Sequence, residues 1–294
     1  MPFTFHCHSG EFCLHASGTL EQVVKEAISK NFKILGLSEH APRVCRKDFY
    51  PEESHLQDND LLLIFQKYIN TARELQEKYK DKIKILVGME TEWISGSLTY
   101  DQLNYIQTYK PDYIVGSIHH VNGIPIDFDL ETYNRAIHSC DDSTELLFQS
   151  YFLEQLDMIK SLKPQIIGHF DLIRIFSPEH PFSQKTLEIL SESIDFAVSY
   201  GALFEVNSRA YKKKLEYPYP HPQVIKLIIE KGGKFTISDD SHAPSELGLF
   251  YSKLNSFLKE MNISVIHCLD TDEHNNIIVK EYNNFFDDAF WNNI

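Results

Sequence analysis

The chain has no long apolar run, no C-x-x-C pair, no internal repeat, no low-complexity linker and no basic excess. Each absence removes a class. No stretch approaches the ~20 consecutive apolar residues of a membrane-spanning helix. Met1-Pro2-Phe3-Thr4 leads directly into an apolar strand pattern, so a signal peptide is not expected and the cytoplasm is the expected compartment. The five cysteines, Cys7, Cys13, Cys45, Cys140 and Cys268, are odd in number and scattered. That argues against a disulfide framework or a zinc ribbon. The 28 Lys and Arg residues stand against 42 Asp and Glu, a net charge of −14. A protein of that balance does not hold nucleic acid on a broad basic face, although a local cation cluster suffices for a small phosphorylated substrate.

What the chain does have is a series of short apolar runs, each ending in a residue with metal-binding chemistry. His6-Cys7-His8 follows Phe3-Thr4-Phe5, and His40 closes Ile34 to Glu39. Glu90 follows Ile85 to Met89, His119 follows Tyr113 to Ile118, and His169 ends Gln165 to Gly168. Asn207 ends Ala202 to Val206, and Asp240 and His242 close Lys234 to Asp239. Helical patterns separate these runs: Thr19 to Asn31 with Thr19 as cap, Leu61 to Asp81, Glu145 to Leu162, Ser183 to Tyr200 and Gln223 to Lys231. Pro244-Ser245 is expected to precede a further helix that runs through Met261. Alternation of this kind predicts parallel strands of an α/β barrel. In such a barrel all strand C-termini open on one mouth, where the active site lies.

Two connections, Ala41 to Asn59 and Val121 to Ser143, read as long functional loops. After Met261, Ile263 to Leu269 and Ile277 to Tyr282 predict a terminal hairpin, and the aromatic tail from Phe285 caps the barrel or a partner surface. Residues 1–294 are expected to form one domain, with the barrel over about 1–262 and the hairpin and tail over about 263–294.

Positions i and i+2 of a strand share a face, so His6 and His8 can reach one ion while Cys7 points away to pack. His15 lies in the loop before the first helix. Neutral imidazoles with carboxylates suit zinc, iron or manganese, and a carboxylate can bridge two ions. His6, His8, His15, His40, Glu90, His119, His169, Asp240 and His242 exceed what one tetrahedral zinc requires, and would serve two or three ions.

The motifs that carry these residues resemble those of the polymerase and histidinol phosphatase (PHP) superfamily. They are His6-x-His8, Leu37-Ser38-Glu39-His40, Gly88-Met89-Glu90, Ser117-Ile118-His119, Ile167-Gly168-His169 and Ser238-Asp239-Asp240-Ser241-His242. The resemblance implies a distorted seven-stranded (β/α)7 barrel with a trinuclear metal site. It implies that His6, His8, Glu90 and Asp240 hold one ion. Glu90 would bridge to a second, completed by His119 and His169, and His15, His40 and His242 would hold the third. Other stretches resemble histidinol-phosphate phosphatases: His40-Ala41-Pro42, His119 to Asp129, His169 to Arg174, and Glu205 to Ser208 running on to Tyr217-Pro218-Tyr219-Pro220. The implied substrate is L-histidinol phosphate.

Arg174, with one of Arg209, Lys212 or Lys213, is the expected neutraliser of the phosphoryl oxygens, Arg174 being the larger contributor. Asp240 or His242 is the expected proton shuttle for the leaving alkoxide. Asp127, Asp129 and Glu92 are candidates for the ammonium and imidazole of the substrate, and His120 for a supporting or substrate-facing role. Rival readings are a nuclease or phosphotyrosine phosphatase of the same superfamily, and a catalytically silent metal-binding module.

Overall fold

A computed structural model describes residues 3–43, 45–94, 99–283 and 285–292. Its strands follow the apolar runs: β1 (Phe3–Thr4), β2 (Ile34–Leu37), β3 (Lys84–Glu90) and β4 (Tyr113–Gly116). After a small ribbon, β5 (His120–Val121) and β6 (Ile124–Pro125), come β7 (Ile166–Ile167), β8 (Leu203–Asn207) and β9 (Lys234–Ser238). A terminal pair, β10 (Ile266–Thr271) and β11 (Ile277–Tyr282), is antiparallel over its full length.

Seven strands form one parallel sheet in the order β1-β2-β3-β4-β7-β8-β9. The sheet closes on itself just past β1 and β9, where Cys7 and Ser241 form a parallel bridge and His8 N donates to Ser241 O at 2.7 Å. These strands are buried on both sides, which is why they read as continuous apolar runs rather than alternating ones.

The helices are α1 (Leu20–Ser29), α2 (Asp60–Tyr79), α3 (Thr99–Tyr109), α4 (Leu130–Ser139), α5 (Thr144–Leu162), α6 (Gln184–Ser199), α7 (Arg209–Lys212), α8 (Pro222–Glu230) and α9 (Tyr251–Glu260). Their starts follow capping chemistry. Thr19 and Gln22 form a reciprocal capping box on α1, and Ser143 and Ser183 accept from the third residues of α5 and α6. The α9 boundary differs from the expected one. Pro244–Glu246 is a separate 3-10 turn, and Phe250 in the left-handed region (φ 59°) precedes the helix.

The two long connections are not plain loops. Ala41 to Asn59 contains two short 3-10 turns, Arg46–Asp48 and Pro51–Glu53. Val121 to Ser143 holds part of the β5–β6 ribbon and all of α4, which Asp129 caps. The buried apolar residues of α4 are only Tyr133 and Ala136, with Ile137 half-buried beside them and Leu130 exposed, a short pattern set among polar residues that reads as loop in the sequence.

Tyr113 locks the barrel interior. Its hydroxyl donates to Phe5 O at 2.8 Å, and its ring lies against Gly36 and Gly88, where an added Cβ would stand 2.3 Å and 2.4 Å from tyrosine atoms. The C-terminal hairpin covers the opposite end from the mouth. Lys84, the first residue of β3, pairs with Asp270, and Phe290 packs edge-on against Phe32, just before β2. The tail therefore caps its own barrel; its last two residues, 293–294, lie outside the described residues.

Candidate metal centre

Glu90, the last residue of β3, stands at the middle of the mouth and is 1% exposed. Its Oε1 lies 3.0 Å from His6 Nε2, 3.1 Å from His169 Nε2 and 3.4 Å from His119 Nε2. Its Oε2 lies 2.9 Å from His40 Nδ1 and 3.3 Å from His8 Nε2. One carboxylate thus meets imidazoles delivered by five separate positions of the chain. Parallel pairing makes this convergence automatic, because neighbouring strands end at the same level of the barrel.

Asp240 closes the other side. Its Oδ1 is 3.5–3.6 Å from His6 Nε2, His8 Nε2 and His242 Nδ1. Its backbone is in the left-handed region (φ 47°), which aspartate tolerates better than most residues. His15 stacks on His242 (ring centroids 5.0 Å apart) and faces His40 (5.4 Å). The structure therefore brings the expected ligands together in overlapping groups: His6, His8 and Asp240; His6, Glu90 and His169; His8, His40 and Glu90; and His15, His40 and His242 with Cys13; His119 joins them beside Glu90 and His169. Cys13 had not been singled out as a ligand. Burial raises its thiol pKa, but the neighbouring His15 and His40 outweigh this and bring it down to about 6.

The residues fit divalent cations on two counts. Among the described residues, Nε2 of His6, His8 and His40 and Oε2 of Glu90 are buried without a well-aligned hydrogen bond, despite the short contacts between them, a costly arrangement unless an ion supplies the partner. The charge field has the right sign as well. Burial lowers the affinity of His119 for a proton, yet Glu92 and Glu90 push its pKa up to about 10. Burial and His40 oppose protonation of His8, while Asp240, Glu39 and Glu90 bring it to about 10. A pocket that favours positive charge against such burial is one that favours metal ions.

Behind the imidazoles stand carboxylates that orient them, a common arrangement in metal sites. Glu205 Oε1 lies 2.8 Å from His6 Nδ1, and its Oε2 accepts from the His169 amide at 2.7 Å. Glu39 Oε2 is 3.4 Å from His8 Nδ1, and its Oε1 accepts from the Ser9 amide and hydroxyl. Neither had been anticipated. Glu205 was detectable in principle: it sits two residues before Asn207 on β8, on the same face, and Asn207 Nδ2 donates to it at 3.0 Å. Cys7 turns the other way and donates to Gly36 O, as strand alternation requires.

The expected substrate contacts divide. Arg209, Lys213 and Asp127 line a cavity of about 240 Å³ above Glu90, His119, His169, Asp240 and His242, together with Tyr50, Phe128 and Tyr219. Arg174 does not line it. Its guanidinium donates to the carbonyls of Pro178 and His180, stacks on Phe182 and borders a neighbouring cleft with Asp171 and His221. Lys212 is exposed and paired with Glu246, which Arg209 shares. Asp129 caps α4 through the Thr132 amide at 2.7 Å, away from the cavity. Glu92 is fully buried behind His40 and His119 and cannot touch a substrate. His120 is 1% exposed and packs against Tyr50 outside the cavity lining, with burial lowering its pKa to about 3. Sequence proximity placed these residues near the mouth; the direction of each side chain was a tertiary matter.

A seven-stranded parallel barrel with imidazoles and carboxylates crowded at its strand C-termini defines a metal-binding hydrolase architecture. The PHP domain family matches residues 4–209, and the chain belongs to that family. It is 42% identical to the probable histidinol-phosphatase of Schizosaccharomyces pombe, over 95% of this chain and 94% of that protein. It is 31% identical to the histidinol-phosphatase of Saccharomyces cerevisiae, over 98% and 99% of the two chains. The crystal structure of a histidinol phosphate phosphatase from Lactococcus lactis, complexed with zinc, L-histidinol and phosphate, shares the fold with a TM-score of 0.66 at 23% identity, covering 88% of this chain and 93% of that one.

Proposed function

We infer that this chain is a histidinol-phosphatase, a phosphoric monoester hydrolase that converts L-histidinol phosphate to L-histidinol and phosphate in histidine biosynthesis. The observation that carries the reading is the makeup of one cavity. Candidate metal ligands line it together with Arg209 and Lys213, from α7 and its C-terminal end, and with Asp127, Tyr50 and Phe128. An ester with a dianionic phosphoryl end and a cationic, aromatic amino-alcohol end matches that distribution of charge.

The proposal takes residues 1–294 as one catalytic unit acting in the cytoplasm. It places two or three divalent ions, zinc, iron or manganese, on the ligand groups around Glu90. His6, His8 and Asp240 would hold one, His119 and His169 another, and His15, His40 and His242 a third, with Cys13 beside the last. Such ions, when bound, lower the pKa of water and clamp phosphoryl oxygens. The chain's own residues supply the rest. Arg209 and Lys213 neutralise the phosphoryl oxygens and orient the ester for in-line displacement. Asp127, whose buried Oδ1 has no hydrogen-bond partner among the described residues, accepts from the substrate ammonium or imidazole. The Asp240 carboxylate, which despite its burial His6, His8 and His242 keep ionised, would take the proton released by the attacking water and pass it to the departing alkoxide oxygen; His242, the other candidate for that transfer, has its Nδ1 2.9 Å from the Asp240 carbonyl.

The test is turnover by metal-loaded enzyme of L-histidinol phosphate, a phosphotyrosine peptide and an oligonucleotide side by side. Preference for the first by at least about 10³-fold in kcat/KM, some 4 kcal/mol of discrimination, is expected. Comparable rates on either rival substrate would overturn the assignment.

A further inference from the structure

Arg43, three residues after His40, is 3% exposed and sits where two networks meet. On one side its Nη1 lies 3.1 Å from Glu92 Oε1. That same carboxylate oxygen is 2.8 Å from His40 Nδ1 and 3.3 Å from His119 Nδ1. On the other side Nη2 donates to Glu53, whose second oxygen accepts from the Tyr50 amide at 2.7 Å. The guanidinium carbon also lies over the Tyr50 ring, 4.6 Å from its centroid. Tyr50 is a wall of the cavity.

We propose that Arg43 is a positioning residue that sets the metal centre and the cavity wall as one unit, by holding Glu92 against His40 and His119 while anchoring Tyr50 and Glu53. The physical need is plain at Glu92. A carboxylate with no exposed surface requires a compensating charge, and the imidazoles it faces are neutral once their other nitrogens hold metal. Arg43 is permanently charged and close enough to fill that need. Its shape matters too. A planar fork can meet Glu53 and Glu92 in two directions while its face covers Tyr50, whereas a lysine ammonium is a point that cannot do all three. Because His40 and His119 come from different strands and share one oxygen of Glu92, a shift of that carboxylate turns both rings together. Carboxylates behind metal-binding histidines typically change metal affinity by 10- to 100-fold when removed.

This inference rests on the metal-centre reading, so its test reads metal retention and needs no substrate. Wild type, Arg43→Lys, Arg43→Gln, Glu92→Gln and the Arg43→Gln/Glu92→Gln double variant are loaded with zinc or manganese. Each is titrated with a competing chelator, with metal followed by mass spectrometry and folding by circular dichroism. Arg43→Gln and Glu92→Gln are expected to release metal at roughly 10-fold lower chelator, with Arg43→Lys between them and wild type. The double variant should regain part of the melting temperature lost in Arg43→Gln, since the fully buried Glu92 charge is no longer left alone and only Glu53 still lacks its arginine, but should not regain metal. That split separates positioning from mere stability. For the folded variants, KM for the phosphate ester should also rise in Arg43→Gln, because Tyr50 loses its anchor, and not in Glu92→Gln. Should Arg43→Gln fail to fold, Arg43→Lys and the double variant carry the measurement. Wild-type metal retention in the folded Arg43 variants would overturn the inference. Failure of wild type itself to bind metal would instead overturn the metal-centre reading.

Discussion

His119 Nε2 and His169 Nε2 face each other across 3.3 Å, with Glu90 Oε1 within 3.4 Å of both. Two imidazole nitrogens held so close by neighbouring strands of a rigid barrel need a cation between or beside them. Without one, a proton must serve, or two lone pairs oppose each other in a buried site. Metal removal should therefore destabilise the fold as well as stop catalysis. Adding zinc or manganese to chelated protein at about 100 times its Kd is expected to raise stability by roughly 2.7 kcal/mol. A melting temperature that ignores both chelator and metal would contradict this.

Glu90→Gln keeps the size of the side chain and removes the charge that faces five imidazoles. Metal content and hydrolysis should fall together while the far-ultraviolet circular dichroism stays that of the barrel. Elemental analysis of the purified variant beside its kcat makes the check. Full metal occupancy with full activity would show that Glu90 is not the bridge.

Arg209 reaches the cavity and Arg174 does not, so the larger kinetic loss is now expected from Arg209 rather than from Arg174. Arg209→Ala should lower kcat/KM by about 10²-fold, the usual loss for one donor that stabilises transition-state charge. Arg174→Ala should act mainly on stability, by freeing the segment whose carbonyls it holds. Steady-state kinetics of both variants with metals retained decides it. A larger kinetic loss from Arg174→Ala would mean that its guanidinium leaves those carbonyls to meet the substrate.

Glu145 ties α5 to α6 and to the segment around His180. It accepts from the hydroxyls of Ser183 and Thr186, from Gln149 Nε2 at 2.8 Å, and lies 3.1 Å from His180 Nε2. Burial raises its pKa, but these donors outweigh burial and hold it down to about 2, against an ordinary value of 4.5. A depressed carboxylate pKa adds stability that is complete above the unfolded value and lost as pH falls through the folded one. Glu145→Gln should thus cost roughly 1.5–3 kcal/mol near neutral pH, and the gap from wild type should close between about pH 4.5 and 2. Urea unfolding of both proteins across that range measures it; a gap that does not change with pH would refute the assignment.

Much of the architecture was legible in the chain. Parallel strands buried on both faces appear as short apolar runs, and each run ended where the structure ends its strand, to within a few residues. Thr19, Ser143 and Ser183 start helices because a hydroxyl before a helix satisfies free amides, a rule that needs only local sequence. The convergence of His6, His8, His40, Glu90, His119, His169 and Asp240 also follows from local pattern, since parallel strands in one barrel end at one mouth. What lies behind and above those ligands was not legible. Spacing to Asn207 put Glu205 on the inward face of its strand, but its pairing with His6, like the meeting of Glu92 with Arg43 and His119, is a contact between residues distant in sequence that no local pattern encodes. Arg174 and Arg209 each stand a few residues past a strand end, equally basic on paper. Only the packing of the following segment turned one onto carbonyl groups and left the other facing the cavity, because a long side chain goes where its neighbours leave partners for its charge.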